Sequence, residues 1–172
     1  MRGYLSARYL VALGSNRRHH LYGPPRTVVH AAMEELAALG TVRARSSVRT
    51  TPPLGPARRR FANAACVLET EFDPPALLAA LQHLERQFGR RRGRRWGDRV
   101  LDLDIVAWDG GEWRSPGLAI PHPAFRDRAF VLGPASEIAD DWRDPVTGLT
   151  IRQLDARRKR SARLTPRTAL PR

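Results

Sequence analysis

Leu101-Asp102-Leu103-Asp104-Ile105 is a strict alternation of apolar and acidic residues. Alternation with a period of two is typical of a β-strand, because successive side chains point to opposite faces. The pattern predicts a strand over residues 100–108, with the leucines and the isoleucine packed inward. Both aspartates then project together from the other face.

The rest of the sequence predicts two helices and three strands before this strand, and one short helix after it. Each helix has apolar residues at helical spacing; the two stripes are Val28, Ala32, Leu36 and Leu39, and Leu77, Leu81, Leu84 and Phe88. Strands are expected over residues 8–13, 41–50 and 63–70, a loop over 51–56, and a further short helix over 125–139. The order βαββαβ predicts an α+β sandwich of ferredoxin-like topology, in which helices pack on an antiparallel sheet.

The length favours one domain. A chain of 172 residues with 42% apolar residues can bury one substantial core and is too short for two. We expect this domain to occupy residues 1–154. Residues 155–172 are basic and poor in apolar residues, and are expected to form a disordered tail. Truncation after Leu154 should then leave activity near normal.

Composition excludes several kinds of protein. The single cysteine, Cys66, excludes an internal disulfide and a cysteine-rich zinc site. The apolar run at residues 9–13 is too short for an export signal, and no run approaches the roughly 20 residues of a membrane span. The expected location is therefore cytoplasmic, without membrane contact. The only lysine, Lys159, lies in the predicted tail, which excludes a Walker-type phosphate loop and a lysine Schiff base in the body.

The formal net charge of +13 is concentrated in two segments, residues 86–99 and 152–172. The second segment belongs to the predicted tail. The first holds seven arginines and one acid, and it lies just upstream of the two aspartates. Arginine offers planar, bidentate contacts to phosphate oxygens. On charge alone, a polyphosphate ligand and a nucleic acid are equally good explanations of this segment.

The aspartate pair favours the polyphosphate. Two strand rises, about 6.6 Å, separate the points at which Asp102 and Asp104 attach to their strand. Carboxylates at this spacing can hold one or two Mg²⁺ ions, which prefer oxygen ligands and bridge substrate phosphates. An isolated pair of this kind is more often an ordinary solvated strand face. The adjacent arginines favour instead an anionic ligand bound together with metal.

Four other residues near these motifs are less specific. Gln82 and Glu85 share a face of the second predicted helix, away from its leucine stripe, as in a solvated surface. Trp96 follows two arginines, and could stack on a base or cover the core. His122 lies between two prolines in a rigid turn, where it could donate to a phosphate or simply pack.

Six short motifs occur in order between about Leu10 and Ile151. They are ALGSN at 12–16, TPPLG at 51–55, FANAA at 61–65, RWG at 95–97, RVLDLDI at 99–105, and PHP at 121–123 followed by RAFVL at 128–132. In this order and spacing, the chain resembles the 6-hydroxymethyl-7,8-dihydropterin pyrophosphokinase family. The resemblance implies pyrophosphate transfer from ATP to the hydroxymethyl pterin, giving AMP and the pterin diphosphate, in folate biosynthesis.

The resemblance also implies a role for each matched residue. Asp102 and Asp104 correspond to the pair that binds two Mg²⁺ ions along the phosphates of ATP. Residues implied to bind the pterin are Thr51, Pro52, Leu54, Phe61, Asn63 and Phe130, with the two phenylalanines on either side of the ring. Residues implied to contact ATP are Gln82, Glu85, Trp96, Arg99, His122 and Arg128. Arg90 and Arg92 are implied to lie on a loop that closes over the reactants, and count with Asp102 and His122 as catalytic.

The sequence departs from the family at some of these positions. Arg49 stands where the family often has an aromatic residue. Residues 57–60 replace a stretch that usually carries amide, proline and acidic residues. The loop at 90–95 is about one residue short, so that either Arg91 or Arg92 corresponds to the second loop arginine.

Two other classes of function fit parts of the sequence. An RNA-binding module can share the βαββαβ order and the charge, but it stacks bases on aromatic residues of its central strands. The predicted strand 63–70 has no aromatic residue. A degenerate family member could bind its ligands without turnover, but the intact aspartate pair disfavours it. We expect a monomer that binds ATP and the pterin, with nucleic acid bound weakly by the tail at most.

Overall fold

The computed structural model describes residues 6–52, 59–89 and 99–164. In these ranges the strands are β1 (Ala7–Ser15), β2 (Thr41–Arg45), β3 (Arg49–Thr51), β4 (Phe61–Thr70), β5 (Asp102–Trp108), β6 (Trp113–Ser115) and β7 (Leu118–Ile120). The α-helices are α1 (Pro25–Glu35), α2 (Pro74–Gln87), α3 (Ala129–Ile138) and α4 (Ile151–Leu164), with short 3-10 turns at Leu36–Leu39 and Phe125–Asp127. Within the described ranges, no helix combines the length and the apolar content that a membrane span requires.

β1 lies inside the main sheet, between β4 and β5, and pairs antiparallel with both. The other edge of β4 is shared by β2 and β3, which are also antiparallel to it. β6 and β7 form a separate hairpin. The predicted antiparallel sheet with packed helices is therefore confirmed.

The predicted single strand over 41–50 is wrong, because two strands replace it. Arg45 pairs with Cys66 and Arg49 pairs with Asn63. Three residues, 46–48, therefore lie opposite two residues of β4, 64 and 65. The Ser46 hydroxyl oxygen accepts the Ala65 N–H at 2.9 Å, in the gap between the two ladders. An extra residue of this kind is a β-bulge, and it bends the edge strand.

The sheet is covered on both faces. Alternate residues of β1 enter different clusters: Tyr9, Val11 and Leu13 pack with α1 and α2, whereas Leu10 and Ala12 pack with α3 and α4. The predicted stripes of α1 and α2 lie in the first cluster, and Leu101, Leu103 and Ile105 join them there. The inward side of the aspartate-bearing strand is thus confirmed.

Glu85 of α2 does not lie on a solvated surface, and that expectation is wrong. It is 1% exposed, and its carboxylate accepts the N–H of Leu103 at 2.8 Å. The physical reason is that β5 pairs with β1 on one side only, so its outer backbone donors need partners from elsewhere. Gln82, one turn earlier in α2, is exposed as predicted.

The tail is not disordered over residues 155–164, where the prediction is wrong. α4 continues to Leu164, with Ile151 and Leu154 buried in the second cluster. Asp155 is also buried, and its carboxylate forms ion pairs with Arg158 at 3.3 Å and with Lys159 at 2.5 Å. These pairs connect adjacent turns and stabilise a helix within a basic run. Residues 165–172 lie outside the described ranges.

The predicted helix over 125–139 is divided. The 3-10 turn Phe125–Asp127 is followed by α3 from Ala129, and Arg128 between them has extended backbone. Phe125 and Leu132 are both buried in the second cluster. The break lets the turn and the helix pack at different angles while both contribute to one core.

Two leucines of α4 give a test of its packing. Leu154→Ala should lower the free energy of unfolding by roughly 2–5 kcal/mol, because the residue is 5% exposed and a cavity would replace it. Leu164→Ala is the matched control, since Leu164 is 77% exposed and its loss should cost less than about 0.5 kcal/mol. Urea unfolding measures both values. Equal values for the two variants would contradict the packing of α4 on the body.

Glu85 gives a second test. Glu85→Ala should lower the free energy of unfolding by about 1–3 kcal/mol, because the Leu103 N–H loses its acceptor in a buried place. Glu85→Gln keeps an oxygen acceptor and should lose less. Thermal and urea unfolding of both variants provide the comparison, and equal losses would show that the hydrogen bond does not hold α2 to β5.

Candidate active site

A row of three residues crosses the sheet near the C-terminal end of β1. Gly14 of β1 pairs with Asn63 of β4 and with Asp102 of β5. Because directly opposed residues of antiparallel strands share a face, Asn63 and Asp102 flank the glycine on one side of the sheet. A Cβ added to Gly14 would lie 3.3 Å from Oδ1 of Asn63. Glycine therefore leaves an open floor between the amide and the carboxylate.

The carboxylate pair stands at one end of this row. Asp102 and Asp104 are both half-buried, and Asp104 shares the face of Asp102 because it pairs with Ala12, two residues from Gly14. Arg99 Nη1 lies 2.5 Å from Oδ1 of Asp102, and Arg128 Nη1 lies 4.0 Å from Oδ2 of Asp104. Burial and the neighbouring Asp102 raise the pKa of Asp104, so the nearby cations compensate this charge only in part.

Asn16 fixes the backbone from which Arg99 projects. Its Oδ1 accepts the Arg99 N–H at 2.7 Å, and its own N–H donates to the Arg99 carbonyl at 3.1 Å. Asn16 is 1% exposed. In the sequence it stands out only as the last residue of the ALGSN motif at 12–16. A polar residue directly after a buried strand was the available signal.

His122 faces the site from the other side of β5. It follows a cis Ile120–Pro121 bond, and its N–H donates to the Val106 carbonyl at 2.9 Å. Its Nδ1 accepts the Ala124 N–H at 3.2 Å, which places the proton of the neutral ring on Nε2. Burial lowers the pKa of His122, against the opposing influence of Asp104. The neutral imidazole thus presents an Nε2–H donor.

A cleft of about 450 Å³ opens beside Asp104 and His122. Its opposite wall is the β6–β7 hairpin, which contributes Leu118 and Ala119, and Leu78 of α2 lies at its side. The sequence prediction missed this hairpin. The Pro116-Gly117 dipeptide was its signal, because such dipeptides mark turns.

On the β4 side, the residues implied to bind the pterin come together. Thr51 pairs with Phe61, and the Asn63 amide nitrogen donates to the Thr51 hydroxyl at 2.8 Å. Phe61 is half-buried, Asn63 is 4% exposed, and Pro52 is exposed. Thr51, Phe61 and Asn63 lie on the same sheet face as the aspartates, because Phe61 and Asn63 are two residues apart on β4 and Thr51 pairs with Phe61.

Phe130 reaches this face from α3. It is half-buried in the first turn of the helix, and the Arg128 guanidinium lies 5.6 Å from the centre of its ring. Arg128 therefore stands between Phe130 and Asp104, and connects the aromatic part of the site to the acidic part.

The remaining predicted residues are only partly brought to this site. Gln82 is exposed on α2, and Glu85 acts on the site through the β5 backbone. Predicted site residues that lie outside the described ranges are Leu54, Arg90, Arg92 and Trp96. In the part of the chain that the structure describes, no cluster of three or more histidine, cysteine or acidic side chains is arranged to hold a metal.

Known proteins are similar to most of this chain. Residues 10–140 match the family model described as 7,8-dihydro-6-hydroxymethylpterin-pyrophosphokinase. A protein of Methylorubrum extorquens named 2-amino-4-hydroxy-6-hydroxymethyldihydropteridine pyrophosphokinase is 40% identical over 149 residues, covering 85% of this chain and 90% of that protein. The protein of the same name from Pseudomonas aeruginosa is 41% identical over 141 residues, covering 80% of this chain and 84% of its own length.

Solved structures show the same fold. Wild-type HPPK-DHPS of Plasmodium falciparum superposes with a TM-score of 0.69 at 13% sequence identity, over 91% of this chain. The match covers 42% of that longer chain, so this protein spans less than half of it. The family model and the relatives together show that this chain belongs to the 7,8-dihydro-6-hydroxymethylpterin-pyrophosphokinase family.

Proposed function

We propose that this protein transfers pyrophosphate from ATP to 6-hydroxymethyl-7,8-dihydropterin, releasing AMP, as a step of folate synthesis. The observation that carries the proposal is the row Asn63–Gly14–Asp102, which joins an amide pocket to a carboxylate pair on one sheet face. Membership of the pyrophosphokinase family supports the same reaction. ATP is the co-substrate that this activity requires.

ATP would occupy the cleft beside β5. There the Nε2–H of His122 can donate to a phosphate oxygen, and Arg128 adds a guanidinium near Asp104. The hairpin wall and Leu78 offer apolar contacts for the base and sugar. We assign Gln82, Glu85, Trp96 and Arg99 to the same substrate on the strength of the family resemblance.

The pterin would lie over the β4 end of the row. Asn63 donates its amide N–H to Thr51 and directs Oδ1 towards Gly14, where it can accept from the pterin edge. Phe61 and Phe130 would stack on the two faces of the ring. Pro52 and Leu54 would complete this pocket.

Asp102 and Asp104 fit Mg²⁺. Their donors are carboxylate oxygens, the ligands that Mg²⁺ prefers, and Asp104 lies beside a second carboxylate on the same sheet face. We propose that they hold two ions, which when bound supply charge neutralisation at the phosphate oxygens of ATP.

The protein's own residues mainly position the reactants. The hydroxymethyl oxygen bonds to the β-phosphorus, the bond from that phosphorus to the α-phosphate oxygen breaks, and AMP leaves. Asp102, at the meeting point of the two pockets, accepts the hydroxyl proton. Arg90 and Arg92 would add positive charge to the transferred group from their loop. Positive charge held close to the transferred group stabilises the transition state.

An RNA-binding module is disfavoured by the architecture. Such modules use an open sheet face whose aromatic residues stack on bases. Here α1 and α2 pack on one face, and α3 and α4 on the other. We expect the enzyme to act as a monomer in the cytoplasm.

AMP release provides the first test. With ATP and Mg²⁺, the purified protein should form AMP only when 6-hydroxymethyl-7,8-dihydropterin is added, and should form no ADP. Chromatography of the nucleotides measures both products. Absence of AMP from protein that is folded by circular dichroism would contradict pyrophosphoryl transfer.

The aspartate pair provides the second test. Asp104→Ala should lower AMP formation on the order of 10²–10³-fold, since a ligand to the phosphate-bound cation is lost. Pterin binding, measured by calorimetry, should stay within a few fold. Asp109→Ala is the matched control, because Asp109 is exposed beyond the end of the same strand and pairs with Arg8. Unchanged turnover in Asp104→Ala would overturn the metal assignment.

A further inference from the structure

Glu137, in the last turn of α3, accepts hydrogen bonds from two residues at the edge of the sheet. Its carboxylate accepts the N–H of Ser47 at 2.8 Å, the hydroxyl of Ser47 at 2.9 Å and the Nε–H of Arg49 at 2.6 Å. It also forms an ion pair with Nη2 of Arg49. We refer to Ser47, Arg49 and Glu137 as the clamp.

The clamp joins α3 to the strand that borders the pterin pocket. Arg49 pairs directly with Asn63, and Thr51, two residues later, accepts the Asn63 amide. The guanidinium passes over Gly133 of α3, where an added Cβ would lie 3.2 Å from Nη1. Arg49 thus spans from the row of site residues to the helix.

The clamp and Phe130 lie on the same side of α3. Phe130, Gly133 and Glu137 are spaced by three and four residues, which places them along one helix face. Seven residues of helix, about 10.5 Å along its axis, separate the Cα atoms of Phe130 and Glu137. Because Phe61 is carried by β4 and Phe130 by α3, the distance between these rings depends on how α3 is held against the strands.

β3 needs such a tether. It has three residues, and the bulge at 46–48 separates it from β2. Arg26 of α1 holds the same segment from the opposite face, by donating to the Val48 carbonyl at 2.7 Å. The short strand is therefore fixed by side chains from both helical layers as well as by its own ladder.

The Glu137 carboxylate is charged in the folded protein. Burial alone would raise its pKa, but the donors from Ser47 and Arg49 more than offset burial, so the pKa lies below its usual value. Its bonds to the serine and the guanidinium are charge-assisted, which makes them shorter and stronger than neutral ones.

We propose that the clamp sets the width of the pterin slot between Phe61 and Phe130, and that Glu137 and Arg49 are positioning residues for the pterin. The inference rests on the proposed pterin site. The clamp lies on the β4 side of the sheet, away from the cleft beside β5.

The test compares Glu137→Ala with a matched control at the far end of the sheet. Glu69 likewise accepts from a serine hydroxyl, Ser6 at 3.0 Å, and from an arginine, Arg43 at 2.8 Å. Glu137→Ala should raise the Kd and KM for the pterin about tenfold, because binding must then order α3 against the strands. The KM for ATP and kcat should change less than about twofold.

Two further variants separate positioning from general stability. Glu137→Gln keeps an acceptor for Ser47, and should recover part of the pterin affinity. Glu69→Ala should leave both KM values unchanged. The proposed role of the clamp would be contradicted if Glu137→Ala left the pterin affinity unchanged. It would also be contradicted if Glu69→Ala reduced that affinity by the same factor. An equal rise of both KM values with a fall in kcat would also overturn it.

The wild-type protein distinguishes this proposal from the proposed function. Pterin binding is measured by calorimetry with a non-hydrolysable ATP analogue present. If the wild type binds no pterin, the proposed function fails and the clamp fails with it. If the wild type binds and Glu137→Ala binds equally well, only the clamp fails.

Discussion

The register of β1 between β4 and β5 is the constraint on which the site depends. It places Gly14 opposite both Asn63 and Asp102, and so brings residues from distant parts of the sequence into one row. A shift of one residue on either side would turn the amide or the carboxylates to the opposite face. The register is held in turn by burial, because alternate residues of β1 enter two different cores. The packing that covers both faces of the sheet therefore also fixes the register that assembles the site.

The site also depends on side chains that hold its backbone in place. Glu85 fixes Leu103 between the two aspartates, Asn16 fixes the backbone of Arg99, and the clamp ties β3 to α3. Each uses a side-chain oxygen to hold a backbone or guanidinium donor at the border of the sheet. The binding groups stay on short strands and turns, and their positions are set by polar contacts with the longer elements.

Local patterns were sufficient for the parts of the fold with a strong period. The alternation around Asp102 and Asp104 and the leucine stripe of α2 predicted elements that the structure contains. Glu85 was misassigned because helical spacing does not reveal that a strand with unpaired donors lies above it. The break at 46–48 depends on pairing with Ala65, which is remote in sequence. The basic run of α4 resembles a disordered tail in composition, but its helix depends on Ile151 and Leu154 packing in the second core.

The outer edge of β5 has a consequence for how these molecules behave together. An open strand edge offers backbone groups that another chain can extend, which is a common route to aggregation. On this edge the Leu103 N–H is taken by Glu85, and the Val106 carbonyl by the His122 N–H. The contacts that shape the catalytic strand also withdraw its hydrogen-bonding groups from neighbouring molecules. Because these two groups are already bonded, another chain that approached this part of the edge would find fewer groups with which to extend the sheet.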